Sequence, residues 1–142
     1  MAHIGEVASL KIIGEKSFGL YLDAGSLGEV LLPRREIPVG WHPGDFLEVF
    51  LYTDSEDRPV ATLTLPRALP GQFVRLRCVS VTGVGAFLDW GLAKDLLVPF
   101  REQKIRMQAG HHYLVFIRVD EETQRIIATT RIARHMDLTP HA

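Results

Sequence analysis

Apolar and polar residues alternate with a period of two over several short stretches of this chain. In 18–24, Leu20, Leu22 and Ala24 fall on one face while Tyr21 and Asp23 fall on the other. That period marks a half-buried strand. A strand rich in β-branched and aliphatic residues is predicted over 6–13, followed by a turn at 14–17. A third strand over 28–32 stops at Pro33, which has no N–H for a central ladder. Residues 34–39 are too few for more than a helical turn. Over 45–53, Phe46, Glu48 and Phe50 alternate with Leu47, Val49 and Leu51. The polar stretch Asp54-Ser55-Glu56-Asp57 reads as a turn, and 59–65 as a fifth strand.

The same plan then runs again, about 66 residues on. Gly5, Gly19, Gly25 and Gly44 recur as Gly71, Gly85, Gly91 and Gly110. Leu22-Asp23 recurs as Leu88-Asp89, and Leu32-Pro33 as Val98-Pro99. Beyond Asp54 and Asp120 the register slips by one, so Arg58, Ala61 and Thr62 answer Arg125, Ala128 and Thr129. Strands are predicted over 72–81, 86–90, 95–98, 111–120 and 125–130, with a short helix opening after Pro99 within 100–108. Pro66-Arg67-Ala68-Leu69-Pro70 is a short, stiff connector. The expected organisation is a first barrel at 1–66, a second at 70–134 and a tail at 135–142.

Five short strands with a helical turn between the third and fourth suit a Greek-key OB barrel, whose strand 2–3 face often binds oligonucleotides or oligosaccharides. The expected class is all-β, two such five-stranded barrels in tandem. A Tudor-like or SH3-like barrel is the second choice, but its helical turn normally comes just before the last strand.

Composition narrows the options. The chain of 142 residues is 46% apolar and 23% charged, with a formal net charge of −1, which is ordinary for a globular protein. No apolar run reaches the roughly 18 residues of a membrane span, and no basic-then-apolar leader opens the sequence. With a single Cys78, which reads as a core residue, no internal disulfide forms. A cytoplasmic protein without membrane contact is expected. The charge is unevenly divided. Residues 1–69 hold six Lys/Arg against ten Asp/Glu, and 70–142 hold ten against seven, so a polyanionic partner would read mainly the second half.

The stretch Gly83-Val84-Gly85-Ala86-Phe87-Leu88-Asp89-Trp90-Gly91 resembles the "f-G-a-F-V-d" signature of S1-type RNA-binding domains, with valine for the first aromatic. Phe18-Gly19-Leu20-Tyr21-Leu22-Asp23 carries it in the first repeat, and Gly110 and Asp120 fit the later "v-G-d…v-D". The longer string Gly85 through Leu92, Lys94-Asp95-Leu96-Leu97-Val98-Pro99 and Glu102-Gln103 resembles the conserved virulence factor B family of bacterial RNA-binding regulators. The likeness runs from about Gly5 to Arg134. It implies single-stranded RNA as partner, a regulatory role without catalysis, and further S1-like and winged-helix domains of a longer chain; this sequence ends at Thr139-Pro140-His141-Ala142. One departure stands out. S1-type domains often carry "v-H-i-S" after the third strand, where this chain has Pro33 and Arg35, then Pro99 and Arg101. An imidazole that stacks is replaced by a guanidinium suited to phosphate or planar groups.

Single strands are held by aromatic platforms for bases and cations for phosphates. The alternation turns Leu88 and Trp90 inward, so Phe87 points out, as does Tyr21; Phe18 sits at the bend beside Tyr21. Packing against a neighbouring barrel is the plainer role for Phe87 and Phe18. Lys11 and Arg77 occupy matching places in the first strands, with Arg75 on the same side as Arg77. Lys94 precedes the third strand, and Arg34, Arg35, Arg101, Lys104 and Arg106 follow it. Each alone reads as a solvated charge; the cluster in the second repeat favours that barrel as the stronger binder. His111 and His112 face opposite ways on one strand and cannot share a metal. Asp23 and Asp89 read as turn or strand-end acceptors. No cofactor, metal set or catalytic constellation is indicated. Two other classes stay open: a protein–protein interaction module centred on the acidic first repeat, and a subunit that presents RNA to a separate nuclease.

Overall fold

A computed structural model describes residues 2–134; the expected tail at 135–142 lies outside them. The chain divides into two compact units that change over between Leu65 and Pro66, with Glu121–Arg125 grouped in the first.

The first unit is a closed five-stranded barrel. Its strands are β1 (Val7–Lys16), β2 (Gly19–Asp23), β3 (Glu29–Pro33), β4 (Phe46–Thr53) and β5 (Pro59–Thr62). They run around the barrel in the order β1-β2-β3-β5-β4, β4 closing on β1. All pairs are antiparallel except β3 with β5, which meet in parallel at Leu31 and Val60. The second unit repeats this with β6 (Phe73–Thr82), β7 (Gly85–Asp89), β8 (Leu96–Pro99), β9 (His112–Val119) and β10 (Ile126–Thr129). Closure leaves no long unpaired edge, which suits modules this small. These are two tandem OB barrels.

The predicted alternation fills both interiors. Leu10, Ile12, Leu20, Leu22, Val30 and Leu32 are buried in the first barrel; Leu76, Cys78, Ala86, Leu88, Leu96 and Val98 take the same places in the second. Burial also pushes the Cys78 thiol pKa up, as expected of a core cysteine.

Three differences from the sequence reading have clear causes. The turn expected at 14–17 is the end of β1, which continues to Lys16 through a bulge between Ile12 and Gly14. The extra residue lets the strand bend while keeping its pairing with β2. The helix expected within 100–108 is only the 3₁₀ turn Phe100–Glu102, matched by Arg34–Glu36 in the first barrel. After it the chain is held by a side chain: the Gln103 amide donates to the Val98 carbonyl at 3.0 Å and accepts from Met107 N–H at 3.0 Å. Finally, β5 stops at Thr62 rather than Leu65. Glu36 accepts from the Thr62 hydroxyl at 2.7 Å and from Leu63 N–H at 2.8 Å, so those groups turn toward a carboxylate instead of a neighbouring strand. From Pro66 the connector is bonded to the second unit, where Arg67 N–H donates to the Trp90 carbonyl at 2.8 Å.

Candidate nucleic-acid interface

Residues opposite each other in an antiparallel pair share a face. In the first barrel, Tyr21 faces Gly14 on β1 and Leu31 on β3, while the buried Leu20 and Leu22 alternate with it. Tyr21 therefore lies on the outer surface of β2. Past the bulge, Lys16 pairs with Gly19 on the same outer surface. Its ammonium sits 4.3 Å from the Tyr21 ring centre and 3.3 Å from Glu29 Oε1. Phe18, at the hairpin tip, is 73% exposed.

That tip is fixed from below. Arg34 Nη1 donates to Glu15 Oε2 at 2.7 Å, Nη2 to the Lys16 carbonyl at 2.7 Å and Nε to the Ser17 carbonyl at 3.1 Å. Its backbone N–H donates to the Phe18 carbonyl at 3.0 Å. The rigid guanidinium fork suits such convergent acceptors. Arg34 is thus a clamp on the β1–β2 hairpin rather than part of a basic rim.

Close approach of β2 and β3 explains the glycine in the signature. Gly19 has φ 151°, and a methyl there would lie 2.0 Å from the Leu32 carbonyl oxygen; at Gly85, φ 150°, the Val98 oxygen would be 2.4 Å away. Only glycine fits.

In the second barrel Phe87 faces Ser80 on β6 and Leu97 on β8. It is outward and half-buried. Val84, 61% exposed, replaces Phe18 at the tip. Arg77 faces Asp89 one outward step along β6, and Arg75 faces Leu114 on β9. Lys11 holds the place of Arg77 in the first barrel, facing Asp23 and Phe46. Among the described residues neither Arg75 nor Arg77 has an ion pair or a side-chain hydrogen bond.

Two of the remaining cations, Arg101 and Arg106, are engaged by side chains other than Phe87. Arg101 lies 3.2 Å from Asp120 and 3.7 Å from the buried Glu102, which also has Arg118 at 3.8 Å. Its carbonyl accepts from Arg131 Nε at 2.9 Å, and Lys104 N–H donates to Thr130 Oγ1 at 2.9 Å. These bonds anchor Arg101 and Lys104 over the end of β10. Arg106 stacks on Phe100, 4.3 Å from the ring centre. Lys94 is half-buried in the loop before β8, its carbonyl accepting from the inward Trp90 Nε1–H at 2.8 Å. Arg35 is exposed on the 3₁₀ turn after β3.

Asp23 and Asp89 do accept at strand ends, from Gly25 N–H at 2.9 Å and Gly91 N–H at 3.1 Å. Burial raises the Asp95 pKa, helped by the Asp89 charge. No cluster of three His, Cys, Asp or Glu that could hold a metal occurs among the described residues. None of their helices is long and apolar enough to cross a membrane. Lys16 and the Phe73–Phe116 pair described below were missed from sequence. The signal for Lys16 was Gly14 inside a strand pattern, which often marks a bulge.

The fold is a tandem pair of closed five-stranded OB barrels. The S1 domain family model matches residues 4–64. The chain is similar to conserved virulence factor B of Staphylococcus haemolyticus, 27% identical over 128 residues, and of Staphylococcus aureus, 28% over 130 residues. These alignments cover 85% and 84% of the chain and 42% of each relative. The uncharacterized protein YitL of Bacillus subtilis is 33% identical over 95 residues, covering 66% of this chain and 32% of that protein. The chain thus spans less than half the length of these relatives. Among solved structures, a multidomain protein with nucleic acid binding domains from Streptococcus pneumoniae has the same fold over 88% of this chain and 45% of its own, with a TM-score of 0.71 at 22% identity.

Proposed function

We propose that this chain binds single-stranded RNA without catalysis and serves a post-transcriptional regulator of the virulence factor B type. One observation carries the reading. Each barrel turns an aromatic ring outward from its second strand, Tyr21 or Phe87, beside a cation on its first strand, Lys16 or Arg77. Rings stack bases whatever their sequence, and cations track phosphates. Both barrels contribute. Arg101 of the second is engaged by Asp120 and Glu102. The first offers the more open platform, Phe18 with Tyr21.

The test is a titration of fluorescently labelled oligo-RNA with wild type, Tyr21→Ala, Phe87→Ala and the double variant. Each single change should weaken binding about tenfold, within the ~1–3 kcal/mol of one base stack. Affinity should also fall with added salt. Wild-type affinity in the double variant would discard the assignment.

A further inference from the structure

Along the outer surface of β6 the outward residues run Phe73, Arg75, Arg77, and after the bulge Ser80, opposite Phe87. The row therefore leads away from the Phe87 platform toward β9. At its far end Phe73 and Phe116 form a tilted ring pair with centroids 4.9 Å apart. Phe73 remains 43% exposed and the adjacent Leu114 52%. Between the two aromatic ends stand Arg75 and Arg77, on one face and, among the described residues, without an ion pair, although Asp89 faces Arg77 across the ladder. At the strand rise of ~3.3 Å per residue, Phe73 lies ~13 Å from Arg77.

Two like charges held at alternate positions of one strand repel each other. They stand beside Leu114 and His112, with Asp89 opposite Arg77 as the carboxylate facing it across the ladder. A polyanion relieves that repulsion, and one that also carries flat apolar rings matches the exposed aromatic edge. The first barrel lacks this combination: its corresponding row is Val7, Ser9 and Lys11, with Glu48 opposite Ser9.

Resting on the RNA-binding reading above, we infer that the β6–β9 face of the second barrel is a second contact surface for the same single strand. The strand extends from Phe87 past Arg77 and Arg75, and a further base stacks on Phe73. This path leaves the strand 2–3 face of the barrel and makes binding depend on oligonucleotide length.

Labelled single-stranded oligouridine of 4 and of 16 nucleotides distinguishes the possibilities. Phe73→Ala and Arg75→Gln should each weaken the 16-mer at least about fivefold and leave the 4-mer unchanged, whereas Phe87→Ala weakens both. Arg75→Gln keeps the ring pair and the strand, so its effect does not depend on Phe73→Ala folding well. Unchanged 16-mer binding in Arg75→Gln and Phe73→Ala, with loss in Phe87→Ala, overturns the extension and leaves the RNA reading standing. No loss in Phe87→Ala overturns the extension, which starts at that ring, and no loss in the Tyr21→Ala, Phe87→Ala double variant overturns the RNA reading itself. Equal loss of 4-mer and 16-mer in Arg75→Gln would also overturn the extension, by placing Arg75 within the first few nucleotides. If a Glu- and Leu-rich peptide displaces the 16-mer from wild type but not from Arg75→Gln, the face is a protein-docking surface and the proposal is wrong.

Discussion

Lys16 holds its ammonium over the Tyr21 ring at 4.3 Å while leaning on Glu29 at 3.3 Å. The contact to Glu29 is exposed, and such pairs contribute ~0–1 kcal/mol, so a phosphate can replace the carboxylate. As the ammonium swings onto that phosphate it uncovers the ring face it lies over, and a base can stack there.

Lys16→Met should therefore lower RNA affinity and reduce the slope of log affinity against log salt by about 0.7, one single-strand phosphate contact. Glu29→Gln should raise affinity by freeing the ammonium. Titrations at several salt concentrations measure both. A Lys16→Met slope equal to wild type would show that this cation meets no phosphate.

Arg34 separates a structural role from a binding one. It was read from sequence as part of a rim, yet its three side-chain donors all go to the 15–17 segment. Arg34→Ala should cost ~1–2 kcal/mol, since hydrogen bonds to backbone carbonyls persist in solvent better than the exposed Glu15 pair does. Arg34→Lys should not restore it, because a single ammonium lacks the planar fork whose three nitrogens meet these acceptors. Urea unfolding gives the stability, and hydrogen exchange at Gly19 reports whether the hairpin loosens. Full rescue by lysine would mean that charge, not the fork, is what matters.

How far the sequence spoke depended on the kind of signal. Alternation placed Leu20, Leu22, Leu88 and Trp90 inside and Tyr21 and Phe87 outside, because inward and outward residues must differ in polarity on a closed barrel. Glycines in register revealed the duplication, because each repeat needs the same close approaches. The pattern was silent where one residue changes the parity of a strand: the bulge at Ile12/Gly14 brought Lys16 to Tyr21. It was equally silent on charge pairing. Arg34 and Arg101 look alike in a list of cations, yet Glu15 and Asp120 engage them from 19 residues away.

The two signature glycines give a steric prediction. Gly19→Ala and Gly85→Ala place a methyl inside a carbonyl's radius at 2.0 and 2.4 Å, and neither backbone can shift without parting β2 from β3 or β7 from β8. Each should cost about 3 kcal/mol or more. Gly25→Ala is the control: its φ is 63°, but no atom lies within 4 Å of the added carbon, so only the left-handed backbone cost of ~1–2 kcal/mol applies. Chemical denaturation of the three variants measures the difference. Equal losses would assign the whole effect to backbone angle and none to the strand contact.

Asp54 makes one contribution to stability depend on acid. Burial pushes its pKa up, but hydrogen bonds from Arg58 and Glu56 N–H, and then the Arg58 side chain, outweigh that and hold it below the usual carboxylate value. The contacts are 2.9 Å each for Glu56 N–H, Arg58 N–H and Arg58 Nε. A depressed folded pKa means the unfolded chain binds the proton more tightly, so the stabilisation is complete above the unfolded value of 3.8 and fades as pH falls through the folded one. Asp54→Asn keeps an acceptor for the two backbone donors and loses the ionic bond to Arg58, which is largely exposed, so it should cost below ~1 kcal/mol at pH 7. Asp54→Ala loses the turn as well and should cost ~1–2 kcal/mol. Thermal melts between neutral pH and pH 3 should show both variants approaching wild type as the acid end is reached. If instead the gap between wild type and Asp54→Asn stayed constant across that range, the carboxylate charge would have no part in closing the β4–β5 turn.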